Sequence, residues 1–415
     1  MFDVEQEVRA RTKGPRTKAL MAPFRIFREV IRRFGLLKFG LMGQEYPPIS
    51  HPWTAGGSVL SVVSITCNFQ SETRLHEGAR MALPHIFDQA WPDPKKVSDD
   101  AKSAAILQNE ARETFASHLG VRSDEIHFLG EPNLGFHLGI MGLIKPEFRF
   151  NFAATDRMAN YAISESFEKS GYRTRKIPVT RSGQLDFQDD PVGDGDLLSL
   201  QLCNRETGVI QQKIDYETSA LFVDATASGT RIKLPDNWSV ALFDSRSWMG
   251  PAGVGILAIS KKSNWNNPLP HLDTKVSPGQ VSLPLVVTSA VAIDSWVADE
   301  KNLAAKVAEL KRILVEGIAK IPDSYVISEG ADHLVNATFG GVDSEYLVNS
   351  LVEQGFAVDS GSACSAANIK PSHVLDAMGL KTTGNIRLTI HHATSFEQVT
   401  KFLEVLTLTL EKLRA

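Results

Sequence analysis

Residues 243–260 read FDSRSWMGPAGVGILAIS. A polar segment gives way to Gly250, Pro251, Gly253 and Gly255, and these to the apolar run 256–259. Glycine and proline together mark a tight turn, and a short apolar run bounded by turn residues has the character of a strand covered on both faces. The stretch therefore predicts a turn that feeds a buried strand, with Ser247 just upstream of the turn.

Similar runs precede it. LLSLQLCN (197–204), ALFVDAT (220–226) and SVALFD (239–244) each end in polar or turn residues. With 253–260 they are expected to be buried parallel strands. Helical segments alternate with strand-like ones from about residue 100: KSAAILQNEARETFASHLG leads to EIHFLG, and MANYAISESFEKSG to YRTRKIPV. That alternation predicts an α/β fold with a mainly parallel sheet, in which ligands gather at the carboxyl ends of the strands. After Pro284 the texture changes to a long helical stretch (299–320), short strands such as YVIS and LVNATFG, and a terminal helix, FEQVTKFLEVLTLTLEKL. We read the chain as a basic extension (1–60), an α/β major domain (61–284) and a smaller C-terminal α+β domain (285–415).

The 415 residues carry a net charge of -4. No domain-wide basic excess collects phosphate contacts, so nucleic acid is not an expected partner. Residues 1–40 differ, with ten Lys/Arg against four acids. Phe24, Phe27, Ile31 and Phe34 recur there at roughly helical spacing among arginines. Such a helix packs its aromatic face on the body or on a second subunit, or lies on an anionic membrane as a peripheral contact. No membrane-spanning run and no secretory leader stand out, and a cytoplasmic protein is expected. The three cysteines, Cys67, Cys203 and Cys364, lack CxxC spacing, so neither a disulfide framework nor a metal site is indicated.

The densest signal lies near the C-terminus, where DSGSACSAANIKPSHVLDAMGL (359–380) leads to GNIRLTI (384–390). Gly361, Ser362 and Ala363 form a small, flexible approach to Cys364, and a helix opens at Ser372 after Pro371. From these residues alone, Cys364 is either an inert thiol in a turn or a sulfur-transfer nucleophile on a mobile loop.

The segment resembles the cysteine desulfurases of the class V aminotransferase family, which carry Ser-Gly-Ser-Ala-Cys, then Pro-Ser-His/Tyr-Val-Leu, then Ile-Arg. Upstream, CNRETGVIQ (203–211), LFVDATAS (221–228) and GPAGVG (250–255) are similar to further family motifs. The resemblance spans roughly residues 65–412. It implies a fold type I enzyme dependent on pyridoxal phosphate (PLP), a homodimer, and a loop cysteine, Cys364, that takes sulfur as a persulfide and passes it to an acceptor protein. It also implies that Arg387 grips a substrate carboxylate and that Asp224 pairs with the pyridine nitrogen.

Matched residue by residue, the same motifs differ where the cofactor would be held. Ser247 falls on the Schiff-base lysine and Arg246 on the preceding histidine, while Asp244 falls on a phosphate-binding serine. Arg205 stands for an asparagine, Ala227 for a glutamine and Arg157 for the ring-stacking histidine, and FLGEPNLG (128–135) replaces the phosphate loop. The nearest lysines, Lys261 and Lys262, lie a strand's length away, and His137 reads as a helix-face residue. A serine holds no aldimine and shuttles no proton in the lysine's stead.

The resemblance places Arg157, Arg205 and Arg246 near Asp224, Asp244 and Glu206. Either the six charges pair and fill the vacated volume, or the arginines hold a new anion. The preferred reading is a desulfurase-like protein with a degenerate PLP site and a sulfur-accepting or scaffolding role for Cys364. The alternatives are an active desulfurase converting L-cysteine to L-alanine with persulfide on Cys364, and a membrane-surface or partner-binding module.

Overall fold

The computed structural model describes residues 67–270, 276, 280–327, 329–361 and 371–415. The basic segment 1–40 and Cys364 lie outside the described residues, as do Ser362 and Ala363.

The chain opens with β1 (Cys67–Asn68), α1 (Glu77–Gln89) and α2 (Asp99–Leu119). Next come β2 (Ile126–Leu129), α3 (Leu134–Leu143), β3 (Arg149–Ala153), α4 (Met158–Lys169) and β4 (Arg173–Ile177). Four strands follow, β5 (Asp196–Gln201), β6 (Ala220–Asp224), β7 (Val240–Asp244) and β8 (Gly255–Ile259), ahead of the long helix α5 (Leu283–Ala319). The remainder holds β9 (Ser324–Ile327), β10 (Leu334–Phe339), α6 (Ser344–Glu353), β11 (Phe356–Ala357), α7 (His373–Ala377), β12 (Ile386–Thr389) and α8 (Phe396–Arg414).

Seven strands form the central sheet in the order β2-β8-β7-β6-β5-β3-β4. Pairing is parallel from β4 through β3, β5 and β6 to β7. Side chains along each strand alternate between two apolar layers, as the two-residue strand period requires. On β6, Leu221 and Val223 join α1, α2 and the first half of α5, whereas Ala220 and Phe222 join α3 and α4. Helices thus cover both faces, and the central strands β6 and β7 are apolar up to their last residue because neither face meets water, whereas the edge strand β4 is polar.

One strand departs from the sequence expectation: β8 runs antiparallel to β7, and β2 antiparallel to β8. Only residues 245–254 separate β7 from β8. A parallel return needs a crossover of about a dozen residues or more, so so short a link doubles the chain back.

The second core gathers Leu310, Leu314 and Ile318 of α5 with Val335, Phe339, Leu388, Phe402 and Leu406. Its antiparallel sheet is ordered β12-β10-β9. Helix α5 therefore crosses the boundary read at residues 284/285, with its first half in one core and its second half in the other. Cys67 and Phe69, read with the major domain, pack in this second core, where β1 pairs in parallel with β11. Caps set the helix ends: the Ser98 hydroxyl accepts from the Ala101 amide at 3.1 Å, and Gly120 closes α2 at φ 70°. Left-handed backbone of that kind favours glycine.

Helix α3 lies close to the sheet because glycines face it. A Cβ added at Gly139 would stand 2.4 Å from Phe222 Cε2. At an open helix site, replacing glycine by alanine stabilises by about 1 kcal/mol. Here the clash reverses the sign, and Gly139→Ala is expected to lower the urea midpoint by the equivalent of about 1–3 kcal/mol. An unchanged or raised midpoint would mean that α3 has room to retreat.

Candidate functional site

The parallel strands β3, β5, β6 and β7 end on one edge, and the residues just beyond them converge on one cavity of about 110 Å³. Arg157 follows β3, Arg205 follows β5, Thr226 and Ala227 follow β6, and Arg246 and Ser247 follow β7. Connections at this end are loops, so polar side chains gather there without interrupting the sheet.

Asp224, the last residue of β6, is only 3% exposed. One carboxylate oxygen accepts from the Thr226 amide at 2.9 Å and the Thr226 hydroxyl at 2.6 Å. The other accepts from Gln201 at 3.3 Å and lies 3.7 Å from Arg157 Nε. Arg157 also donates to the Thr226 hydroxyl at 2.8 Å and stacks over Phe136, 5.5 Å from the ring centroid. Arginine suits this place because its planar face packs on a ring while its edge meets oxygen.

A second pair follows β7. Arg246 Nη2 meets Asp244 Oδ2 at 2.7 Å, and its Nη1 reaches Glu72 at 3.3 Å. Asp244 also accepts from the Arg246 amide at 3.0 Å, and the Ser247 hydroxyl donates to the Asp244 carbonyl at 2.8 Å. The local sequence folds as a short 3₁₀ turn, 245–248, because Asp244 caps it and Met249 takes the left-handed conformation at φ 56°.

The third expected pair is absent from the described residues. Glu206 turns away from the arginines, and its carboxylate accepts from the Ser372 hydroxyl at 2.6 Å. Ser372 is the N-cap of α7, so this carboxylate ties the major domain to the C-terminal one. Arg205 is left with no carboxylate partner among the described residues. Burial, and then the nearby Arg157, Arg387 and Arg246, pull its guanidinium down to about 10.

Arg387 lies on β12 and forms an ion pair with Asp359 at 2.8 Å, while Asp359 also accepts from the Ser71 amide at 2.7 Å. The internal carboxylate thus occupies one edge of this guanidinium. Lys261 stands beyond β8, near Asp124 at 3.9 Å, and His137 is exposed on α3, so neither lines the cavity.

Several lining groups carried no motif. Arg231 pairs with Glu300 at 2.8 Å and lies over Trp296 at 4.6 Å. His391 bonds the Gln70 carbonyl at 2.8 Å, and burial holds both it and His333 neutral by lowering their pKa values. These side chains come from segments remote in sequence, and only the recurrence of histidines at 391 and 392 was available as a signal.

Asp156 is another residue without a sequence signal. It is buried between β3 and α4, where it accepts from Asn160 at 2.8 Å and the Ala153 amide at 3.0 Å. Burial, with a smaller push from Asp224, raises its pKa from 3.8 to about 7. Between these values the unfolded chain ionises while the folded one keeps its proton, so this group's contribution to stability falls as pH rises from about 4 to about 7. Asp156→Asn is expected to remove that decline, a change of a few kcal/mol across the window. Urea melts at several pH values measure it, and parallel wild-type and variant curves would contradict it.

Comparison with known proteins places this arrangement. Residues 93–402 match the family described as aminotransferase class-V. The chain is 26% identical over 373 residues to the cysteine desulfurase IscS of Dictyoglomus turgidum, covering 84% of this chain and 94% of that protein. It is 28% identical over 359 residues to a cysteine desulfurase of a Nostoc species, covering 80% and 89%. The solved structure of a NifS-like protein superposes with a TM-score of 0.73 at 21% identity, covering 83% of this chain and 99% of that one. The mostly parallel sheet and the appended smaller domain are those of fold type I. The chain belongs to the aminotransferase class-V family and is cysteine desulfurase-like within it.

Proposed function

We propose that this chain is a desulfurase-like protein whose cofactor site is degenerate, with Ser247 in place of the Schiff-base lysine, and that it does not carry out ordinary PLP chemistry. The observation that carries this reading is the engagement of Asp224: both carboxylate oxygens are taken by Thr226, Gln201 and Arg157. A carboxylate already beside a fixed guanidinium loses much of its pull on a protonated pyridine nitrogen.

The rest of the donor set supports the same view. No lysine lines the cavity among the described residues, and Ser247 spends its hydroxyl on a backbone carbonyl. PLP, which would act as an electron sink for an amino acid substrate, therefore does not fit the residues present, and we assign no catalytic step to it.

Cys364 keeps a sulfur-accepting or scaffolding role in this proposal, within a homodimer that passes sulfur to or docks an acceptor protein. Its motif, SGSACSAANIKPSHVL, is the support.

Purified protein is expected to show no visible PLP absorbance, no borohydride-trapped adduct and no sulfide release from L-cysteine under reductant. Ser247→Lys alone is expected to leave the protein colourless after incubation with PLP, because Asp224 and Arg157 stay paired. A chromophore or sulfide production in the wild type would establish the active-desulfurase alternative instead.

A further inference from the structure

We propose that the cavity at the strand ends is a binding site for a small oxyanion, phosphoryl or carboxylate, held chiefly by Arg205. This rests on the reading of the cavity as no longer a cofactor site.

The wall of the cavity carries Arg157, Arg205, Arg231 and Arg246 with Glu72 and Asp244, and Asp224 and Glu300 stand just behind it, so the charges balance in number but not in pairing: Glu72 and Asp244 both engage Arg246. The cavity's histidines add no charge, since burial keeps His333 and His391 neutral. Three of the arginines have partners: Asp224 at 3.7 Å for Arg157, Glu300 at 2.8 Å for Arg231, and Asp244 at 2.7 Å for Arg246. Arg205 makes no hydrogen bond or ion pair among the described residues, although Glu206 is its neighbour in sequence and turns to Ser372 instead. If the arginines served only to neutralise leftover carboxylates, the fourth would have one too. Arg205 is half-buried, so water satisfies its guanidinium only in part and a counter-ion in the cavity would stabilise it.

A second observation comes from another element. Thr389, at the end of β12, is 8% exposed and lines the same cavity, and its hydroxyl is buried with no hydrogen-bond partner. Buried hydroxyls are almost always satisfied. An unpaired donor and an unpaired guanidinium on one small cavity describe a site for an acceptor-rich anion. Guanidinium forks bind carboxylate and phosphate oxygens through paired N–H groups. The open space of about 110 Å³ accommodates a group of a few heavy atoms.

Calorimetric titration of the full chain with inorganic phosphate, and separately with acetate, tests the site at constant ionic strength against chloride. At least one of the two is expected to bind saturably at one per chain. Arg205→Gln is expected to weaken it tenfold or more, with Arg205→Lys intermediate because it keeps the charge and loses the fork. Circular dichroism establishes that Arg205→Gln is folded, and Thr389→Val, expected to weaken binding several-fold, provides an independent variant. Preference for phosphate identifies a phosphoryl ligand and preference for acetate a carboxylate.

Equal binding by wild type and both variants would reduce the effect to general salt exclusion and overturn the proposal, as would no binding of either anion. The absorbance of the same preparation separates the two readings. A colourless protein that ignores both anions overturns the oxyanion site alone, while a coloured one that binds an anion through Arg205 overturns the degenerate-cofactor reading alone.

Discussion

The site is organised by one buried carboxylate. Asp224 ends β6 at the centre of the sheet, where almost no water reaches it. An ionised carboxylate in such a place is tolerated only with close donors and a counter-charge. Thr226 and Gln201 supply the donors and Arg157 the charge. The Arg157 side chain then fixes much else: it is held against Phe136 of α3, and it occupies the space over the strand end. Removing one partner would leave the other charged and buried, so the two positions are expected to change together or not at all.

The two cores meet around that same edge. Helix α5 runs from one into the other, which leaves little freedom for either to turn independently. Hydrogen bonds then lock the junction locally. Glu206 accepts from Ser372, its backbone carbonyl accepts from Asn336 on β10, and Asn336 in turn accepts from Asn385 beside β12. Buried polar chains of this kind are satisfied only in one register. They bring Thr389 and His391 of the C-terminal domain to the same cavity as the arginines of the major domain. The cavity is thus an interdomain site, even though every arginine in it comes from the larger domain.

Membership in the family and the fate of its chemistry are separable matters. Fold is carried in this chain by the apolar strands, the glycines of α3 and the caps. Chemistry depends on a handful of side chains at the strand ends, where packing is loosest and substitution least disruptive to the core. In the proposed degenerate site, a cation placed beside the Asp224 carboxylate costs the fold little, and it would compete with a cofactor's pyridine nitrogen for that carboxylate.

The sequence by itself was sufficient for the elements and the family. Strands β5, β6 and β7 were legible because runs covered on both faces are mostly apolar with polar residues gathered at their ends, and the helices were legible from their period. The motif around residues 359–390 pointed to the family, and counting from Gly250 and Pro251 set Ser247, Arg246 and Asp244 against the positions where that family holds its cofactor. Strand direction and charge pairing were not legible. That β8 runs antiparallel follows from a link too short for a crossover, which alternation alone does not reveal. Glu206 adjoins Arg205 in sequence, yet Ser372, more than 160 residues away, takes its carboxylate. Only the tertiary structure decided which arginine was left over, because pairing is settled by distances between loops that the chain brings together from separate strands.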